Sequence, residues 1–184
     1  FSAISSHRGT VVYSHQHVSD DAMLQFAANL YDAHMRYYVQ ALARQGSPYA
    51  YPTLGSTIAV QANSYARARG FPKRNAGEDF HFLNKLNKLA PVTWLHQPVI
   101  EVQARRSTRV VFGTGPALEK IVTLLRDDPS GNSYLSYDHR CFELLGKALV
   151  YLQRCSQSAG FAAIARPNDS DHARIVQILQ HLGL

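Results

Sequence analysis

Glu78 and Asp79 stand side by side after Gly77 and open the run EDFHFLNKLNKL. An ionised carboxylate at a strand–loop–helix junction can take a proton from a hydroxyl, and such junctions are where open α/β sheets place ligands. Carboxylates are also enriched in a helix's first turn for stability alone, at roughly 0.3–1 kcal/mol each, so the pair by itself suits either purpose. Arg105, Arg106 and Arg109 form the densest cationic cluster, and Arg67, Arg69, Lys73 and Arg74 form a second. Guanidinium forks match phosphate; solvated surface charge is the plainer reading. His15 and His17 alternate along TVVYSHQHV and could chelate a metal from one strand face. No C-x-x-C or H-E-x-x-H pattern accompanies them to complete a ligand set, and half-buried imidazoles with hydrogen-bond partners explain them equally simply. Tyr49 and Tyr51, in the loop SPYAYPT, could stack on a sugar ring or merely anchor the loop.

The elements that position these residues follow from periodicity. Thr10 to Val18 alternates as a strand, with Val11, Tyr13, His15 and His17 on one face. Ser19 is placed to cap a long helix whose apolar stripe reads Met23, Phe26, Ala27, Leu30, His34, Tyr37, Tyr38, Ala41 and Leu42, and which Gly46 and Pro48 end. Gly55 to Gln61 reads as a strand. A short helix capped by Asn63 or Ser64 follows, and Gly70 supplies a left-handed stop. From Glu78 a second helix carries Phe82, Leu83, Leu86, Leu89 and Ala90 on one stripe. Val92 to Val102 reads as one or two strands broken at Pro98. Helices are expected over 116–126, 140–158 and 171–182.

The order GS-x-I-A-V, then Y-A-x-A-x-GFP, then AGEDFHFL-x-KL resembles the second half of the catalytic domain of family-2 glycosyltransferases of the GT-A fold. In that family a GGFP segment precedes an ED pair whose Asp is assigned as general base. Arg69, Gly70, Phe71 and Pro72 match the first element, with Arg69 in place of a Gly, and Glu78 and Asp79 match the second. The run from Arg105 through Arg109 to Phe112, Gly113, Thr114 and Gly115 also looks like a segment of one bacterial branch. The resemblance covers Leu54 to Gly115. It implies a helix-rich α/β fold, the acceptor-side part of a GT-A domain over 1–115, with a helical C-terminal region over 116–184. It implies transfer of a sugar from a nucleotide-sugar donor to a hydroxyl acceptor, with Asp79 as general base, Glu78 beside it, and Arg105, Arg109, Tyr49 and Tyr51 toward substrate. It further implies a divalent ion, manganese or magnesium, whose ligands fall mostly outside this chain; His96 is the nearest candidate within it. Asp169, Ser170 and Asp171 imitate the family's Asp-x-Asp element but follow the acidic pair instead of preceding it, and read as a helix cap. The chain is thus expected to be a piece of a longer enzyme and inactive alone.

Composition bounds these readings. The 184 residues, 46% hydrophobic and 17% charged, can build a globular core, and no apolar run approaches the roughly 18 residues of a membrane span. A net charge of +6 favours anionic partners. Cys141 and Cys155 fall in one predicted helix, about 21 Å apart, which excludes a bridge within it and reads as reduced, cytoplasmic protein. The basic surface suits peripheral contact with an anionic membrane, and an uncovered sheet face would permit homo-oligomers. Two rivals stand beside the transferase: a non-catalytic basic module for nucleic acid or membrane, and a metal-dependent hydrolase built from His15, His17 and the acidic pair. Aromatic residues do not interleave with the basic clusters, so nucleic acid is not expected as a partner.

Overall fold

The alternating run Thr10–Val18 forms β1, the middle strand of a three-stranded sheet. β2 (Ile58–Val60) pairs with it antiparallel, Thr10 opposite Val60, and β3 (Thr93–Gln103) pairs with it parallel, Val11 opposite Thr93. The computed structural model describes residues 9–74, 76–107, 113–157, 173–175 and 177. Its α-helices are α1 (Ala22–Arg44), α2 (Ala62–Arg67), α3 (Glu78–Leu89), α4 (Thr114–Asp127) and α5 (His139–Gln157). The protein is therefore mixed α/β and helix-rich. Among the described residues, no helix is long and apolar enough to cross a membrane.

Two compact units divide the chain, Phe1–Gln40 with Pro48–Ser136, and Ala41–Ser47 with Tyr137–Leu184. In the first, α3 buries Phe82, Leu83 and Leu86 against Val12, Tyr51 and Ala68, as its periodicity predicts, while Leu89 at the end of the stripe stays 36% exposed. A second cluster joins Leu118, Ile121, Val122 and Leu125 of α4 to Leu24, Ala27 and Ala28 of α1 and to Ala104. These contacts place α4 in the first unit, which runs on to Ser136. In the second unit α5 runs close to its predicted bounds and buries Tyr151 against Ile175. Both cysteine positions lie in α5, and Cys141 is an exposed free thiol.

Several local expectations shift. The buried face of α1 is Leu24, Ala27, Ala28, Asp32, Val39 and Leu42, whereas Met23, Phe26 and Tyr38 of the predicted stripe are exposed. The helix is turned so that Asp32 faces inward. Its cap is Asp21 and not Ser19: Asp21 Oδ1 accepts from the Leu24 N–H at 2.9 Å, and its carbonyl accepts from the Gln25 N–H. Asn63 and Ser64 lie within α2, whose N-cap Gln61 makes no side-chain cap bond. Gly55–Thr57 is a 3₁₀ turn, so β2 keeps three residues. Gly70 takes the left-handed conformation predicted for it, with φ +65°, and Arg69 shares it at φ 59°.

β3 is continuous across Pro98 because the irregularity is absorbed as a bulge. Leu95 lies opposite Tyr13 and Ile100 opposite His15, so β3 spends four residues, His96 to Val99, where β1 spends one. The helix predicted over 171–182 is described at 173–175 and 177. Asp169, Ser170 and Asp171 lie outside the described residues.

Phe82 is fully buried. Phe82→Ala is expected to cost about 3–5 kcal/mol of folding stability, against about 0.5 kcal/mol or less for Leu89→Ala, both read from urea denaturation midpoints.

Candidate functional site

Gly77 precedes α3 in the left-handed conformation, φ 69°, with no side-chain cap bond. A residue without Cβ takes this conformation without strain, and the sharp entry leaves Glu78 and Asp79 in the first turn. Asp79 turns inward. Its Oδ2 accepts the Gly55 N–H at 3.1 Å and its Oδ1 accepts the Phe80 N–H at 2.7 Å, which ties the turn before β2 to the start of α3. Burial pushes the Asp79 carboxyl above its ordinary range, and the neighbouring Glu78 charge adds to this; the backbone hydrogen bonds oppose the shift without cancelling it.

A cavity of about 550 Å³ opens beside the pair, lined by Glu78, Asp79, Arg105, Arg106, Thr114 and His17 among others. Arg106 stands 3.6 Å from Glu119 in an exposed pair, of a kind that contributes little. Arg105 is exposed and, among the described residues, makes no ion pair. The N-terminus of α4 completes the wall: Gly113 gives no side-chain cap, and no acidic residue sits in the first turn. Gly115 allows the close approach there, since a Cβ would fall 2.6 Å from Ser107 Cβ. Tyr31 of α1 hydrogen-bonds Thr114, and burial pushes its hydroxyl upward. An inward carboxylate, a guanidinium and a helix N-terminus around one cavity can together hold an anion and deprotonate a hydroxyl.

The structure thus brings Glu78, Asp79 and Arg105 together, and Arg106 with them. Arg109 lies outside the described residues. Tyr51 is buried in the α3 cluster, its hydroxyl has no hydrogen-bond partner among the described residues, and burial pushes it up to about 12. Tyr49 is exposed, and neither tyrosine lines the cavity. His96 is 4.4 Å from Trp94, ring centre to ring centre, and both line a separate cavity of about 350 Å³ with His15, Asp32 and Arg36. Arg67, Arg69, Lys73 and Arg74 are exposed and line neither cavity.

Sequence reasoning missed Asp32. This residue is buried, its Oδ1 is 2.6 Å from His17 Nδ1, and its Oδ2 accepts the His17 N–H at 2.7 Å. Burial favours protonation of Asp32, yet the two hydrogen bonds from His17 outweigh it and hold the carboxyl below its ordinary range. His15, beside them, is lowered by burial, which outweighs the attraction of Asp32. Comparison with protein-family models, curated proteins and solved structures finds no match to this chain. The resemblance to glycosyltransferases therefore rests on the residues themselves.

Asp79 binds its proton more tightly in the folded chain. Its contribution to stability is full below the unfolded value of 3.8 and is lost as pH rises through the raised folded value. From about pH 4 upward the native chain should lose stability relative to Asp79→Asn, as urea unfolding across the pH series would show; parallel curves would remove the buried-carboxylate account.

Proposed function

We propose that this chain is the acceptor-side part of a GT-A glycosyltransferase, in which Asp79 takes the proton of an acceptor hydroxyl as a hexose is transferred from a nucleotide-sugar donor. The observation that carries this reading is the shared cavity of Glu78, Asp79, Arg105 and the N-terminus of α4. A carboxylate with raised proton affinity is a stronger base than a solvated one, and burial supplies that rise at Asp79. Its hydrogen bonds to Gly55 and Phe80 fix the carboxylate before substrate arrives. Arg105, Arg106 and the uncapped amides of α4 suit a diphosphate.

The divalent ion of the resembled family would offset charge on the leaving diphosphate. Manganese and magnesium favour several oxygen ligands. Among the described residues lining the cavity the carboxylates are Glu78 and Asp79, which this reading assigns to the acceptor, and it takes the ion's ligands mostly from sequence outside this chain. Within the full-length enzyme the site would work on the cytoplasmic side, with the basic surface at an anionic membrane.

The exposed cluster Arg67, Arg69, Lys73 and Arg74 favours a second reading, a non-catalytic basic module. Steep salt dependence of binding to anionic vesicles, with no nucleotide effect, would select it.

In the full-length enzyme Asp79→Asn is expected to lower kcat about 10²-fold or more with the fold intact. Unchanged kcat removes Asp79 from the mechanism. Melting temperatures with uridine and guanosine diphosphates and their sugars, with and without manganese, should rise for the full-length enzyme; no rise with any of them counts against the transferase.

A further inference from the structure

His15 and His17 are two apart on β1, so both imidazoles leave the same face of the strand. That face meets α1 where Asp32 points inward. One nitrogen of each ring and one Asp32 oxygen all lie within 4.8 Å of one another. The sequence offers two ligands of a set and no third; α1 supplies the third from fifteen residues downstream of His17.

The cluster is not a closed hydrogen-bond network. Among the described residues His15 Nδ1 and His17 Nε2 are buried without a hydrogen-bond partner, although the His15 ring also bonds the Tyr13 backbone. The His17 side chain is 1% exposed, so bulk water does not compensate it. Native interiors pair such atoms, and an imidazole nitrogen left without a proton partner is the commonest metal ligand. Asp32 meanwhile holds His17 through Nδ1 and through the backbone N–H. A metal ion held by all three residues would take the place of the proton shared between His17 Nδ1 and Asp32 Oδ1, so that Asp32 serves as a ligand.

We propose that His15, His17 and Asp32 form a binding site for a divalent transition-metal ion of the zinc class, adjoining the Glu78–Asp79 cavity, whose wall His17 shares. Two imidazoles and one carboxylate are a ligand set of zinc and ferrous sites, with the remaining positions left to water or a ligand. Calcium and magnesium call for more oxygen ligands than this set offers. The separate cavity lined by His15 and Asp32 gives an entry path and room for a solvent ligand. The charged and titratable groups around His15 include Asp32, His17, Arg36 and, across the same cavity, His96; Asp32 attracts a dication and Arg36 opposes it. This site joins β1 to α1 whatever reaction the other cavity serves, so it does not depend on the transferase reading.

The test uses the 184-residue chain, stripped with chelator and titrated with cobalt(II) alone and with zinc(II) alone. One equivalent of cobalt should bind and give visible ligand-field absorption, zinc should displace it, and zinc should raise the melting temperature by mass action. His15→Gln and Asp32→Asn should each weaken zinc binding about tenfold or more, the least expected even of an outer-sphere partner. Arg36→Gln should tighten it. His15→Gln is the deciding variant, because His15 is not part of the His17–Asp32 pair, and circular dichroism checks that it folds. Absence of stoichiometric uptake by the native chain overturns the proposal, as does uptake of undiminished affinity in folded His15→Gln.

Discussion

β1 lies between two partner strands and is covered by helices, and its C-terminal end brings a polar ring into that interior. The contact between His17 and Asp32 makes this tolerable. Both carboxylate oxygens are used, one on the ring and one on the backbone N–H, at 2.6 and 2.7 Å. Hydrogen bonds to a charged group contribute about 1.5–3 kcal/mol, roughly twice the neutral kind, and burial of the carboxylate without them would cost more than that. The contact also fixes how α1 is rotated about its axis. With Asp32 inward, Leu24, Ala27 and Ala28 face α4, and Tyr31 reaches Thr114 at its N-terminus. One polar pair on the central strand therefore decides where a wall of the Asp79 cavity stands.

This pair also explains what the sequence concealed. β1, α3, α4 and α5 were legible because each shows one unambiguous period. α1 was not, because two stripes compete along it. The richer one, with Met23, Phe26 and Leu30, contains no charge, and the one that is buried contains Asp32. Pattern reading treats an inward Asp as an error unless its partner is visible, and the partner lies on another element. A signal was present: Asp32 stands four after Ala28 and seven before Val39, helical spacings on one face, and the strand before it carries two histidines. Pro98 misled for a different reason, since the bulge hides its missing donor from the ladder.

The acidic pair was legible as a pair, but its two members were not separable. Both occupy the first turn of α3, where the helix field favours negative charge. Glu78 remains exposed, whereas Asp79 folds back onto Gly55 and is half-buried. At Asp79 burial outweighs the backbone donors, which is the condition that separates a potential base from a helix cap. Its meeting with Arg105 depends on the turn that follows β3, which carries no periodicity to read. The aromatic candidates failed to join them because Tyr51 is taken up by the core beneath α3.

The bulge in β3 has a consequence for insertions and deletions. Before it Leu95 lies opposite Tyr13; after it Ile100 lies opposite His15, and Ile100 and Val102 are half-buried while Glu101 and Gln103 are exposed. The odd-numbered face thus passes to even numbers across the bulge. Loss of one residue between His96 and Val99 would either turn Ile100 and Val102 to water or force the bulge to be rebuilt, whereas loss of two would preserve parity. Chain length in this segment is therefore constrained to even steps unless the bulge itself is rebuilt.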